Sequence, residues 1–332
     1  MSKLAHPPTG EVQLTNGVIR TATIALLMVL AGVLGSAEFA ARVLFPRISH
    51  IQRRIVGDQQ EVRALGTAVP HGPATVLVVG NSLLLYGLDY PRFVTALSPE
   101  IRPVRYAIEN TDYLDWYYGL KGLFSEGVRP TQVVVCLNLG QTLDPGILGE
   151  YSARHLFRAR DLLAVSRDAG LDNTRTSGLF FAHWSAFYAD RATIRNYILN
   201  VSDRPYADVM NALARVPPNF PPDDEAIQQS RLRLRAIVKL CQDYHVDFVF
   251  VVPPSLAHRD DLLAKAGSLE NVTVDIPVPL GSLGPEYFLD GFHLNEKGAE
   301  LFTDALARNL KTRLAHLNPR RDETVQPSTW EH

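Results

Sequence analysis

Apolar positions gather first into one block near the amino terminus. Residues 21–37 carry no charge, Glu38 interrupts them, and further apolar residues run on to Phe45. A stretch of this length suits one crossing of a bilayer, and a helix apolar on every side has no face to turn to water. The pattern predicts a transmembrane anchor over 21–45, preceded by a polar tail over 1–20. A cleaved signal peptide is the competing reading: Gly35-Ser36-Ala37 offers small residues at a usable spacing, whereas the polar leader ahead of Arg20 is long for that purpose. The uncleaved anchor fits better.

Beyond the block, residues 46–74 are mixed and charged and end in Pro70-His71-Gly72-Pro73, which reads as a stalk. The pattern then changes period. Short β-branched runs recur at 75–79, 104–108, 133–138 and 246–252, with a shorter one at 272–276. Amphipathic stretches lie between them at 90–97, 114–126 and 226–245, and a closing helix is expected from 296 to about 315. Such alternation predicts a parallel sheet covered by helices. The expected domain spans 75–316. It is interrupted by an insertion over 139–222 with helical stretches at 153–167 and 185–199 and a proline-rich passage at 217–222. An insertion after a middle strand emerges at the carboxyl edge of the sheet, so it either caps a site there or adds packing. Residues 317–332 are polar and are expected to form a disordered tail.

Composition narrows the function classes. With 332 residues, 46% hydrophobic and 20% charged, the chain has material for a substantial core. A formal net charge of −2 and a pI near 6.6 leave no basic excess for tracking phosphates, so nucleic acid is not expected as a partner. Cys136 and Cys241 lie in apolar surroundings and read as buried thiols rather than a disulfide. His155, His183, His245 and His258 are scattered without metal-ligand spacing, and no phosphate loop or dinucleotide fingerprint follows a strand. Neither a metal nor a cofactor is expected. The aromatic clusters Trp116-Tyr117-Tyr118 and Phe180-Phe181-Ala182-His183-Trp184 read as core, with the lining of a sugar cleft as the other reading.

Candidate chemistry sits in two short motifs more than two hundred residues apart. Gly80-Asn81-Ser82-Leu83 follows the first strand, and Asp290-Gly291-Phe292-His293 precedes the closing helix. Each alone has a plain structural reading, since turns and caps favour Gly, Asn, Ser and Asp. Together they supply a hydroxyl, a base that removes its proton, and a carboxylate that orients the base. A sheet of this pattern brings the two motifs to one edge.

These residues resemble the SGNH, or GDSL-like, hydrolase superfamily, whose first block is Gly-Asp-Ser-Leu after the first strand and whose last is Asp-x-x-His. The continuation Leu294-Asn295-Glu296-Lys297-Gly298 is also similar. The resemblance covers residues 75–310 outside the insertion and implies a three-layer α/β/α fold with a parallel, flavodoxin-like sheet. It implies Ser82 as nucleophile, His293 as base and Asp290 as its orienting acid. Two blocks depart from the family. Glu109-Asn110-Thr111-Asp112 stands where a glycine amide is expected, and Asn138-Leu139-Gly140-Gln141-Thr142 stands where Gly-x-Asn-Asp is expected. Asn110 and Asn138 are the candidate side-chain donors to an oxyanion beside the Ser82 amide.

The implied activity is that of a membrane-anchored serine esterase acting on acyl, chiefly acetyl, esters of cell-surface carbohydrate. Two alternatives stand: an O-acyltransferase using the same three residues, or an inactive scaffold or carbohydrate-binding subunit of the envelope polysaccharide machinery. A soluble phospholipid or thioester hydrolase would require removal of the apolar amino terminus. By the same resemblance the protein is expected in the inner membrane as a single-pass protein with its domain outside the cytoplasm. The basic residues Arg42, Arg47, Arg53 and Arg54 after the span point the other way.

Overall fold

The computed structural model describes residues 16–66, 72–202, 220–256 and 259–317. Five strands, β1 (Ala74–Gly80), β2 (Ile101–Ala107), β3 (Gln132–Cys136), β4 (Asp247–Val251) and β5 (Val274–Asp275), form one sheet in the order β2-β1-β3-β4-β5 with every pairing parallel. This is the doubly wound order whose crevice lies beyond the carboxyl ends of the strands. Register aligns those ends: Gly80 pairs with Ala107 and with Cys136, Cys136 with Val251, and Val251 with Asp275.

The helices before β2 are α1 (Asn16–Phe39), α2 (Phe45–Ile48), α3 (His50–Arg63), α4 (Ser82–Gly87) and α5 (Tyr90–Leu97). After β2 come α6 (Tyr113–Ser125), α7 (Leu139–Leu143), α8 (Glu150–His155), α9 (Leu162–Asp168), α10 (Asn173–Trp184) and α11 (Ala186–Ser202). The last three are α12 (Asp223–Asp243), α13 (Asp261–Glu270) and α14 (Glu296–Leu317). Alternation along the strands splits the core into two layers, as side chains on successive residues face opposite sides. Leu77 and Val79 pack with residues of α3, α6, α12 and α13, while Val76 and Val78 pack with residues of α4, α5 and α14. The three-layer architecture agrees with the expectation. Arg92 of α5 clasps Asp304 of α14 through two contacts of 2.7 Å, holding the closing helix on its layer.

Helix α1 and its continuation to Ile48 through a π-helical turn at Ala40–Leu44 form the one described helix long and apolar enough to cross a membrane. The stalk expected over 46–74 is largely something else. Residues 50–63 are helix α3, whose Ile55 and Val62, with Leu65 beyond it, are buried in the layer behind β2. Arg54 donates to the carbonyl of Ala107 at 2.5 Å and to Glu109 at 2.6 Å, fastening α3 to the carboxyl end of β2. Only three apolar residues spaced along one side carry this packing, too sparse to stand out in a charged stretch.

The described part of the insertion is packed. Tyr151, Ala153, Leu156 and Phe157 join the α6 layer, and the hydroxyl of Tyr151 donates to Gln52 of α3 at 2.7 Å. The helix expected over 153–167 is broken into α8, a 3-10 turn at Ala159–Asp161, and α9, because the chain turns inward to bury Leu156 and Phe157. Residues 217–219 of the proline-rich passage, the tail from 318 and residues 1–15 lie outside the described residues.

Candidate active site

Strand β1 delivers the first motif to the sheet edge. A Cβ on Gly80 would stand 2.6 Å from the carbonyl oxygen of Cys136 and 3.0 Å from the Cβ of Leu84. Glycine is required here for the close approach of β3 and the first turn of α4. The backbone then turns sharply, and Asn81 caps α4: its Oδ1 accepts from the Leu83 amide at 3.0 Å. Its Nδ2 donates to the carbonyl of Thr111 at 2.8 Å. An asparagine satisfies both contacts, whereas an aspartate, acceptor-only when ionised, satisfies one. Thr111 is itself held, accepting from Trp116 Nε1 at 2.9 Å and donating to the carbonyl of Ile108 at 2.6 Å. Ser82 therefore starts α4 on a turn fixed from both sides, and its amide, first in the helix, has no helical carbonyl to bond.

The second motif is a tight loop between β5 and α14. Phe288 and Leu294 form an antiparallel bridge and are both buried, the Leu289 amide donates to the carbonyl of His293 at 2.8 Å, and the Asn295 amide donates to that of Tyr287 at 2.9 Å. At the tip, Gly291 is left-handed with φ 83°, a conformation glycine adopts without strain. This bend turns the Asp290 carboxylate back onto its own loop. Oδ1 accepts from the amides of Phe292 at 3.0 Å and His293 at 2.8 Å.

The two motifs meet. His293 Nδ1 lies 2.8 Å from Asp290 Oδ2, and His293 Nε2 lies 3.0 Å from Ser82 Oγ. A carboxylate can only accept, so Nδ1 carries the proton of that contact, and Nε2 is left to accept from the serine hydroxyl. Partial burial pushes the Asp290 carboxyl up, but the His293 amide, its imidazole and the Phe292 amide outweigh it and hold the group down at about 2. The carboxylate is thus charged throughout the range in which an imidazole titrates. Tyr86 lies beside the imidazole with its ring centre 5.0 Å away, and Phe292 meets it edge-on at 5.1 Å. With Leu289, these two rings are solvent-exposed around the group.

The two expected oxyanion residues differ in their settings. Asn138, two residues past β3, is buried at the same sheet edge and caps α7: its Oδ1 accepts from the Gln141 amide at 2.9 Å, and its Nδ2 has no partner among the described residues. Asp260 supports this turn by accepting from the Leu139 amide at 2.7 Å. Asn110 is exposed on the turn after β2, left-handed with φ 58°. The sequence offered no sign of the acidic group beside Thr111. Burial and the nearby Asp144 and Asp115 push the Asp112 carboxyl up to about 8 against the pull of Arg233. Asp115 rises to about 6, burial exceeding the hydrogen bonds it accepts. Cys136 and Cys241 are free and buried, and burial pushes the Cys241 thiol up to about 12.

No family model matches the chain, and no curated protein matches it. Among solved structures it is similar to the esterase EstA from Pseudoalteromonas sp., at 14% identity and a TM-score of 0.38 over 72% of this chain and 98% of that one. It is also similar to TesA, at 13% identity and 0.35 over 72% and 98%, and to a lipolytic protein of the G-D-S-L family from Desulfitobacterium hafniense, at 11% and 0.35 over 71% and 98%.

Proposed function

We propose that the chain is a membrane-anchored SGNH-type serine esterase acting on acyl, chiefly acetyl, esters of cell-surface carbohydrate. The observation that carries this reading is the unbroken relay from Asp290 through His293 to Ser82, at 2.8 and 3.0 Å. Ser82 Oγ attacks the ester carbonyl while His293 Nε2 takes its proton. The imidazolium formed is balanced by Asp290, and the proton returns to the departing alcohol. Water, deprotonated by the same imidazole, then releases the acid from the acyl-serine. The Ser82 amide at the start of α4 is one donor to the oxyanion, and Asn138, whose Nδ2 has no partner among the described residues, is the better second candidate than the exposed Asn110. A single such donor is worth about 100- to 1000-fold in turnover. Carbohydrate suits the exposed rim of Tyr86, Phe292 and Leu289, where the flat faces of the two rings can receive a sugar from solvent.

The anchor is α1, with the domain outside the cytoplasm and the envelope polysaccharide machinery as its setting. A reporter fused after the last residue and active only in the cytoplasm would overturn that orientation. Catalysis is tested with the detergent-solubilised full chain on small acetyl esters. Turnover should vanish in Ser82→Ala, and a fluorophosphonate probe should label the parent chain at Ser82 and leave the variant unlabelled. Unchanged hydrolysis by the variant would sink the assignment, and an unlabelled parent would favour a non-catalytic scaffold.

A further inference from the structure

The cluster Phe180-Phe181-Ala182-His183-Trp184 is only partly absorbed by the core: Ala182 is buried in it and Phe180 packs against it, but two of the cluster's rings face outward. Phe181 is 66% exposed and Trp184 70%, and Phe187, just beyond the turn from α10 into α11, is 38% exposed. Three aromatic rings on one elbow have no reason to face water in a stable domain. The elbow is fastened to the end of the apolar helix. Glu38, in the last turn of α1, accepts from the Ala186 amide and Ser185 Oγ at 2.8 Å each and from the Phe187 amide at 3.0 Å, so it caps α11 from outside. Arg42 donates to the carbonyl of Trp184 at 2.7 Å and to Glu38 at 2.5 Å. A groove of about 760 Å³ runs between the two elements, lined by Leu34, Gly35 and the elbow aromatics.

Depth follows from helix geometry. Residues 21–37 carry no charge, and at 1.5 Å per residue the run to Glu38 rises about 26 Å, close to the hydrocarbon thickness of a bilayer. Glu38 and Arg42 then fall at the headgroup boundary, the level at which Trp and aromatic rings collect in membrane proteins. We propose that the α10–α11 elbow is a second membrane contact, with Trp184, Phe181 and Phe187 seated in the phospholipid interface of the leaflet where α1 ends. The insertion is then a foot that sets the height and tilt of the domain over the bilayer. This rests on the membrane-anchor part of the proposed function and is independent of the esterase part.

The test uses the full chain carrying Trp330→Phe, reconstituted in vesicles of phosphatidylcholine and phosphatidylglycerol. Trp116 is fully buried, so the difference between this chain and one also carrying Trp184→Phe isolates the emission of Trp184. Phospholipids brominated near the headgroup should quench that emission several-fold more than aqueous iodide does. Iodide quenching equal with and without vesicles would overturn the proposal. Protection from both quenchers would overturn it in favour of a protein partner or a second copy. Release of the chain by an alkaline carbonate wash would remove the anchor and the elbow contact together. Quenching needs no turnover, so loss of the esterase reading would leave the result standing.

Discussion

Replacing Asn81 by aspartate turns Gly80-Asn81-Ser82-Leu83 into the Gly-Asp-Ser-Leu sequence it resembles, and the structure predicts that the change harms the protein. The Asn81 side chain is 1% exposed and makes one accepted and one donated bond, to the Leu83 amide and the Thr111 carbonyl. An ionised aspartate in its place keeps the first contact and sets a charged oxygen against the carbonyl in place of the second. Leaving one buried polar pair unmade costs about 1–3 kcal/mol. Taking about 2 kcal/mol, the melting temperature falls by about 3 °C for a chain of this size. The sign with pH follows from linkage. A protonated aspartic acid can donate to the Thr111 carbonyl, so the folded-state pKa lies above the unfolded value, by about 1.5 units for 2 kcal/mol. The penalty is then absent below about pH 4 and complete above about pH 5.5. Thermal melts of Asn81→Asp and the parent should therefore coincide at pH 4 and separate by pH 7, whereas Asn81→Ala should lose stability equally at both. An Asn81→Asp chain as stable as the parent at pH 7 would refute the two-sided role of Asn81.

Three further outcomes follow from the same geometry. Gly80→Ala should lower thermal stability by about 1–3 kcal/mol, because the added Cβ meets the Cys136 carbonyl oxygen at 2.6 Å; an unchanged melting temperature would show that β3 yields freely. Asp112→Asn should raise stability at pH 9 and leave it unchanged near pH 4. The folded carboxyl is raised to about 8, so its cost is absent below the unfolded pKa and grows until pH passes the folded value, and a stabilisation equal at both pH values would contradict the shift. Asp290→Asn should cut kcat by about 10⁴-fold with little change in KM, since the amide no longer selects the tautomer that leaves Nε2 to accept; steady-state kinetics on an acetyl ester decide it.

Much of the frame was legible because its signals are local. The four long strands and helices α5, α6, α12 and α14 follow from period and β-branched runs, with strand ends shifted by one to three residues, outward for β1 and the start of β2 and inward for the end of β3 and for β4. Ser82, Asp290 and His293 were legible as a pair of motifs, yet the reason they meet is not in either motif. It lies in the register that levels the strand ends and in the bridge from Phe288 to Leu294. Helix α3 was missed because three apolar side chains in a charged segment gain their burial from β2, a partner about fifty residues away. The partner of Asn81 was missed for a similar reason: Thr111 shows no feature of its own until the fold brings its carbonyl to the turn.

Under the proposed roles of Ser82, His293 and Asp290, their exposure bears on which chemistry the site favours. The His293 side chain is 23% exposed and that of Asp290 36%, so bulk water reaches the base that would deprotonate the second nucleophile. An acyl-serine formed at such a site meets water at its bulk concentration, and hydrolysis is the default outcome. Transfer to an alcohol requires that acceptor to occupy the space over Nε2 and shut water out, through contacts that add to the chemistry without being part of it. The exposed rings of Tyr86 and Phe292 and the side chain of Leu289 surround the imidazole where such an acceptor would rest. If Ser82 is acylated as proposed, partition between hydrolysis and transfer is a property of this rim, and substitutions there should shift the ratio of hydrolysis to transfer while leaving acylation of Ser82 in place.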